Sequence, residues 1–425
     1  MKTIAPTSAT PPSISIGEQP NLIKTVAVCA LGYFVDVYDI QLFAVLRVPS
    51  LKAIGIAPEQ ISSVGATILN AQMLGMIIGA VVWGVLGDRL GRVRALYGSI
   101  LLYSLGTLAC TFVQDANTYA LLRFITAIGL AGEIGAAVVL ISELMPAEKR
   151  GWGITVIGGI GFLGPVVAVL TSFVLEWRQS YVLAGMLGLA LLVLRTRMLD
   201  AEMFNKAKQR DSLSKFFRIF ARRSFAVPFL LCLVMSLPLT FVWNVLNFFS
   251  IEISRQVLTQ GEEFNQKLCL LLFFFGTSIG DVASGIITQC LKSRRLAMFL
   301  TLLLAAATAT VLLFIAPVIR LSVSQFYCIY FLLGLSSGCW ALATMITSEQ
   351  FGINIRATAS LLMLNLLRAA TVPMVLSFQN LQNSLGMTKA AATIGVLLFI
   401  ASFASLLAIA ETHGRDLDFV EKTQT

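Results

Sequence analysis

Twelve apolar runs of roughly helix-spanning length follow one another along this chain, at about 23–47, 61–86, 94–113, 117–144, 152–175, 180–195, 225–252, 267–290, 296–317, 325–348, 356–379 and 389–410. A helix needs about 20 predominantly apolar residues to cross the hydrocarbon core. Lipid offers no water to backbone N–H and C=O groups, so runs of this kind must satisfy them internally, as α-helices do. The chain is 57% hydrophobic and only 12% charged, against about 25% charged in an ordinary soluble domain. The fold class expected is an all-α membrane protein of twelve transmembrane helices.

Charge placement divides and orients the chain. The one long polar connection, RTRMLDAEMFNKAKQRDSLSKFFRIFARR, falls between the sixth and seventh runs. It predicts a cytoplasmic tail at 1–21, a six-helix bundle at 22–195, a linker at 196–224, a second six-helix bundle at 225–410 and a short tail at 411–425. One set of loops holds Arg89, Arg92, Arg94, Lys149, Arg150, Lys292, Arg294, Arg295 and Arg356, whereas the opposite set holds only scattered Lys52, Arg178, Arg255, Lys267, Arg320 and Lys389. The rich side belongs in the cytoplasm, which puts both termini on the cytoplasmic side of a bacterial inner membrane. The net charge of +9 therefore reflects loop placement, and nucleic acid is not expected as a partner. FFRIFARR reads either as an amphipathic helix on the anionic leaflet or as a solvated charge run. The Ser-, Thr- and Pro-rich first 21 residues read as a disordered tail without a signal-peptide pattern. Seven cysteines all fall in apolar runs without ligand spacing, so they read as small core hydrophobes.

The halves repeat. Gly75, Gly79 and Gly84 in the second run stand 201 residues before Gly276, Gly280 and Gly285 in the eighth. Small residues at this spacing let helices approach closely. SELMPAEKRG (Ser142 to Gly151) likewise resembles SEQFGINIRA (Ser348 to Ala357). Paired six-helix repeats with a substrate site between them are a transporter architecture.

The first run contains GYFVDVYDIQLF, with Asp36 and Asp39 on one helix face, their Cβ atoms about 5–6 Å apart. Even the lenient insertion scale charges about 2.5–3.5 kcal/mol for an acid at the bilayer centre. Two readings stand: a helix end reaching headgroup water, or a proton site facing an internal cavity.

The loop after the second run reads Gly84-Val-Leu-Gly-Asp88-Arg89-Leu-Gly91-Arg92-Val-Arg94. It resembles the G-x-L-x-D-R-x-G-R-[RK] signature of the major facilitator superfamily, with Val93 standing where a second basic residue is usual. Gly91 permits the tight turn. The resemblance implies that Gly84, Asp88, Arg89, Gly91 and Arg92 form a conformational lock, Asp88 facing the start of the eleventh helix near Arg356. The equivalent of Asp88 in the second half is Gln289, so the lock is expected to be asymmetric. Gly129-Leu-Ala-Gly132-Glu133, Trp177-Arg178-x-x-Tyr181 and Glu411-Thr412-His413-Gly414-Arg415 are similar to the sugar-porter and metabolite:proton symporter branches, and the D-x-[FY]-D at Asp36–Asp39 to the aromatic-acid symporters. Gly161-Phe-Leu-Gly164-Pro165 only partly resembles the antiporter motif.

In that family helices 1, 4, 7 and 10 line the cavity. The resemblance thus points to Asp36, Asp39 and Glu133 for proton coupling and to Arg123, Asn244, Asn247, Trp340 and Arg368 for substrate. The only histidine, His413, lies in the tail, so carboxylates must carry any proton; adjacent like charges and desolvation favour holding one. Arg123 is the natural counter-charge. Static pairs of Arg123 with Glu133, or of Arg368 with Asp281, are the structural alternative. Trp243 and Trp340 read as packing or as stacking groups, and Asn70 and Gln72 as bonds between helices. Arg47 is expected to snorkel to the interface.

The reading is a monomeric proton-coupled symporter importing a small organic anion, with the lipid bilayer as its medium and the proton gradient in place of any cofactor or metal. A proton antiporter exporting a metabolite, drug or siderophore, a sugar or polyol porter, and a transporter-like sensor are the alternatives. The sequence has no nucleophile–base set, metal cluster or phosphate loop, and an enzyme is not expected.

Overall fold

A computed structural model describes residues 19–90, 92–132, 158–198, 223–352 and 355–414. Twelve helical runs are found among these residues. They are α1 (Gln19–Ala53), α2 (Ile61–Leu90), α3 (Arg92–Ala109), α4 (Ala116–Leu130), α5 (Gly158–Val174), α6 (Trp177–Met198), α7 (Arg223–Phe241, then Val242–Asn247 and Ser250–Val257), α8 (Gln266–Leu291), α9 (Arg294–Thr310, continuing to Ile319), α10 (Val323–Ser337 and Trp340–Gln350), α11 (Arg356–Leu385) and α12 (Met387–Ala408). Ten helices are long and apolar enough to cross a membrane; α5 is a shorter apolar helix. No strand occurs among the described residues, only an isolated bridge between Leu258 and Leu321.

The helices begin where side chains can take up the orphan N–H groups of a first turn. Asp115 accepts from Asn117 and Thr118 at the start of α4, Asn265 from Leu268 at α8, and Ser293 from Leu296 at α9. Ser322 and Gln325 form a reciprocal capping box at α10. The caps keep the helix ends from burying unpaired donors.

Packing within the halves follows the repeat. In the first, α2 and α3 pack on α4, and α1 on α5 and α6; in the second, α8 and α9 pack on α10, and α7 on α11 and α12. The glycine pairs explain the closeness. A side chain at Gly75 or Gly79 would overlap the carbonyls of Phe124 or Ile128, and one at Gly276 or Gly280 those of Phe331 or Leu335. The same contact is thus made in both halves with the same spacing. The halves meet through α2 against α11 and α5 against α8. Outside, Val81, Leu121, Val193, Leu230, Ile286, Leu397 and Leu407 are exposed, a surface that suits lipid.

Several expectations change. The run at 225–252 is not one regular helix. It becomes a π-helix over Val242–Asn247 and breaks at Phe248–Phe249. The tenth run breaks at Gly338–Cys339, where Gly338 comes too close to α8 for any side chain. Arg47 does not reach the interface; it is fully buried, because Glu252 of α7 pairs with it. Cys290 and Cys328 are exposed rather than core residues. The helix of α1 already begins within the expected tail, at Gln19. Residues 1–18, the FFRIFARR segment up to Arg222, Ser142 to Gly151 and Arg415 lie outside the described residues.

Candidate functional site

Three groups of buried polar side chains stand out, the first within the first half and the other two across the boundary between the halves. The first is centred on Arg123 of α4. Its Nη1 donates to Asp39 Oδ1 at 2.8 Å and its Nη2 to the Asp39 carbonyl at 2.9 Å. Nε and Nη2 also donate to Gln72 Oε1 of α2, at 3.1 and 2.9 Å. Thr107 of α3 donates to the other Asp39 oxygen, and Gln72 Nε2 donates to the Ile40 carbonyl at 3.0 Å. Arg123, Asp39 and Gln72 are 0 to 1% exposed. A buried pair of this kind holds only with the remaining lone pairs satisfied, which Thr107 and Gln72 accomplish. Beyond it Arg123 faces the Tyr181 ring at 6.0 Å. Tyr181 and Tyr119 share a hydrogen bond of 2.6 Å, and Tyr119 donates to Ser50 at 3.2 Å.

The second group spans the two halves. Tyr33 of α1 lies within electrostatic reach of Arg368, Asp281 and Asp36, and Arg368 within reach of Tyr33 and Asp36. Asp281 of α8 is fully buried; its Oδ1 accepts from Ala341 N at 3.1 Å, which caps the second piece of α10. Its Oδ2 has no hydrogen-bond partner among the described residues, nor does Trp340 Nε1. A Cβ at Gly158 would lie 2.6 Å from Asp281 Oδ2, and one at Gly161 would overlap the Tyr33 ring. These two glycines of α5 are thus what makes room for the pair of side chains. Tyr33, Phe162, Trp243 and Trp340 form a row of rings with successive centroids 6.0, 5.8 and 6.0 Å apart. Trp243 donates to Ser337 Oγ at 3.2 Å. Asn244 donates to the Thr240 carbonyl and to Thr371 Oγ1 of α11, both at 3.2 Å. Asn247 is buried with neither amide atom partnered among the described residues. Arg368 is only partly buried and donates weakly to Asn365 Oδ1 at 3.5 Å. A π-segment carrying Trp243, Asn244 and Asn247 is the type of irregularity that recurs at functional sites.

The third group closes the Arg47 end. Arg47 Nη2 donates to Glu252 Oε2 at 2.9 Å, and its guanidinium lies 4.5 Å from the Phe248 ring centre and 5.6 Å from that of Phe249. Phe249 packs on Phe378 of α11 at 4.9 Å. Lys267 of α8 donates to the Ser172 carbonyl of α5, again across the halves. A cavity of about 360 Å³ lies outside, lined by Lys52 and Glu59 from one half and Glu252, Arg255 and Gln382 from the other.

At the opposite end the segment after α12 folds onto α9 and α10. Glu411 accepts from Ser293 Oγ and from the N–H groups of Arg294, Arg295 and His413. Burial pushes its carboxyl up, but these donors outweigh burial and hold it at about 2. Arg294 pairs with Glu349 at 3.3 Å, and Thr412 donates to Glu349 at 2.6 Å.

The structure therefore separates Asp36 and Asp39: Asp39 sits against Arg123, and Asp36 sits near Tyr33 and Arg368. Arg123 bonds Asp39, and Glu133 lies outside the described residues. No ion pair joins Arg368 to Asp281. Of the expected lock, Gly84 is half-buried in α2 and Arg89 is exposed; Gly91 and the side chains of Asp88 and Arg92 lie outside the described residues. Arg356 turns back on the end of α10, its Nε donating to the Ser348 and Phe351 carbonyls. Thr107, Tyr33, Thr371 and Glu252 were not singled out from the sequence; Tyr181 was marked only as part of the Trp177-Arg178-x-x-Tyr181 motif, and Gln72 only as a bond between helices, which it makes to Ile40 and Arg123.

A family model described as the Major Facilitator Superfamily matches residues 29–371. The chain belongs to the major facilitator superfamily. It is a multi-pass integral membrane protein, placed with its bacterial relatives in the inner membrane, and the matched relatives are transporters rather than enzymes. A niacin transporter of Acinetobacter baylyi is 32% identical over 163 residues, 37% of this chain and 36% of its own. A 3-(3-hydroxy-phenyl)propionate transporter of Escherichia coli is 26% identical over 239 residues, 55% of this chain and 58% of its own. The chain thus spans between about a third and three fifths of the length of these two relatives. A Cupriavidus pinatubonensis protein named for 4-methylmuconolactone transport is 23% identical over 414 residues, 93% of this chain and 92% of its own. Among solved structures, the proton:xylose symporter XylE bound to 6-bromo-6-deoxy-D-glucose superposes with a TM-score of 0.68 at 15% identity, covering 94% of this chain and 98% of the other. That likeness carries the fold alone. The superfamily member described here draws its buried polar groups from α1 to α4 in the first half and from α7, α8, α10 and α11 in the second.

Proposed function

We propose that the chain is a proton-coupled secondary active transporter that imports a small aromatic carboxylate. The observation that carries this reading is the buried Asp39–Arg123–Gln72 group. An acid and a base sealed together in an apolar bundle are retained where one of them changes charge during the cycle. Protonation of Asp39 removes the negative end of the pair, frees the Arg123 fork and loosens α1 from α4. Deprotonation restores the contact. Asp36, eight-tenths of a turn away on the same helix, is the second carboxyl of the coupling set.

The substrate class is supported by chemistry and by relatives. The row Tyr33, Phe162, Trp243 and Trp340 is aromatic surface of the kind a planar ring packs against, and the cation Arg368 lies on α11, which Asn244 beside Trp243 bonds through Thr371. Niacin and 3-(3-hydroxyphenyl)propionate, the cargoes in two relatives' names, are both aromatic rings bearing a carboxylate. The domain division into residues 22–195 and 225–410, rocking about a midplane site, completes the proposal. The half-repeat of glycine contacts supports it.

The experiment is uptake into proteoliposomes with an imposed proton gradient, using labelled nicotinate and 4-hydroxybenzoate. Asp36→Asn and Asp39→Asn are each expected to abolish gradient-driven accumulation while the protein still inserts. Full concentrative uptake by both variants refutes proton coupling through these acids. Outward pumping in oriented vesicles refutes import and favours the antiporter.

A further inference from the structure

Lys52 of α1 and Arg255 of α7 belong to opposite halves, yet both line the cavity of about 360 Å³ outside the Arg47–Glu252 pair. Its charges do not cancel. Of the two acids in its lining, Glu252 is already taken by Arg47 at 2.9 Å. The other ion pairs among the described residues, Arg123–Asp39 and Arg294–Glu349, lie elsewhere. Lys52 and Arg255 are therefore left with Glu59 alone between them. Their place in the last turns of α1 and α7 suits the helix dipoles. Dipoles do not require, however, that two cations from different halves share one cavity.

The uncharged part of the lining narrows what could fill it. Ser62 Oγ of α2 and Gln382 Oε1 of α11 are buried atoms without a hydrogen-bond partner among the described residues. Native proteins rarely leave such atoms unpaired. The Ser62 hydroxyl can donate to a carboxylate oxygen, and Gln382 Oε1 can only accept, so it calls for a ligand O–H or N–H. Val48, Ile61, Ile251 and Met387 supply apolar wall. The volume falls within the range of about 300–1,000 Å³ common to small-molecule sites. An inorganic anion would leave the apolar wall uncovered, and a neutral molecule would leave both cations unpaired. An amphipathic acid with a donor group answers all three features at once.

We infer that this cavity is a second ligand site, holding one small monocarboxylate between Lys52 and Arg255, with its apolar body against the wall and its donor on Gln382. The site shares no residue with the Arg123 group or with the row of rings. It is built from both halves at the end where Arg47 pairs with Glu252 and Lys267 reaches the Ser172 carbonyl. Opening that end parts the two cations, so the ligand binds the closed end alone and favours it by mass action. The site itself does not depend on the aromatic-carboxylate reading above. That cargo and outer ligand share one chemistry does.

The test uses purified full-length protein and equilibrium dialysis with labelled 4-hydroxybenzoate, benzoate, which lacks the donor, and uncharged 4-hydroxybenzamide. Lys52 and Arg255 are exposed, so their variants are expected to fold, with melting temperatures read alongside. Two equivalents of 4-hydroxybenzoate are expected per chain. Lys52→Gln and Arg255→Gln should each weaken the same equivalent by about three- to tenfold, and the double variant by about tenfold or more. Gln382→Leu should bring 4-hydroxybenzoate at that equivalent down to the level of benzoate, a loss of about three- to tenfold. 4-Hydroxybenzamide should not compete for it. Wild-type-like binding by the double variant overturns the inference, as does equal binding of the amide. It is also overturned if the two single variants weaken different equivalents, or if no 4-hydroxybenzoate binds at millimolar concentration. A single equivalent that survives in the double variant overturns the outer site and leaves the cargo reading standing. A single equivalent lost in the double variant supports the outer site and counts against the row of rings as the cargo site.

Discussion

Breaking the Arg47–Glu252 pair should tilt the molecule towards the state open at that end. The pair joins α1 to the last piece of α7 across the two halves, at 2.9 Å, with Arg47 fully buried and the Glu252 side chain 13% exposed. The Arg47 stem fits against Gly65, where a side chain would meet it at 2.6 Å, so the guanidinium has no room to leave while the end stays closed. Glu252→Gln removes the negative partner and leaves the cation over Phe248 and Phe249. Stranding one member of a buried pair costs about 3–5 kcal/mol. In the open state water solvates Arg47 whether or not Glu252 is present, so the loss falls on the closed state. At about 1.4 kcal/mol per tenfold, the equilibrium shifts by roughly two to three and a half orders of magnitude. The assay is a spin-label distance between cysteines at Lys52 and Arg255, which face each other across the outer cavity, with Cys290 and Cys328 replaced by serine. Glu252→Gln and Arg47→Gln should each replace the short distance with a long one, and the swap Arg47→Glu with Glu252→Arg should bring part of it back. An unchanged distribution in both single variants refutes the reasoning, as does strict additivity in the swap.

Three further outcomes follow from local geometry. Arg123→Lys should lower the melting temperature by several degrees, because an ammonium cannot span Asp39 and Gln72 together; an unchanged melt refutes the fork's importance. Glu411 is held at about 2, below the ordinary 4.5. Its stabilisation is therefore complete above about pH 4.5 and is lost as pH falls from there towards 2. Glu411→Gln should cost about 1–2 kcal/mol at pH 7, discounted for partial solvent exposure, and the gap to wild type in denaturation midpoints should shrink below pH 4.5. Gly280→Val should separate α8 from α10 by forcing a side chain into the Leu335 carbonyl, with loss of folded protein in membrane extracts; normal yield and transport would contradict the packing account.

Much of this molecule was legible because lipid is an unforgiving solvent. Apolar runs had to be helices, and Gly75, Gly79, Gly276 and Gly280 had to mark close approaches, since both conclusions depend on local composition alone. Asp36, Asp39 and Arg123 announced themselves as charges in apolar runs for the same reason. Their partners did not. Gln72 and Thr107 complete Asp39–Arg123 from two other helices, and nothing in their spacing separates them from polar residues that merely join neighbours. Arg47 looked like an interfacial residue because its counter-ion, Glu252, lies 205 positions away in a piece of α7 created by a break at Phe248–Phe249. Thus residue chemistry decided which side chains needed company. Which residue supplied it was decided by the crossing of helices, because a hydrogen bond of about 3 Å depends on rotation and register between segments that no single run of sequence encodes.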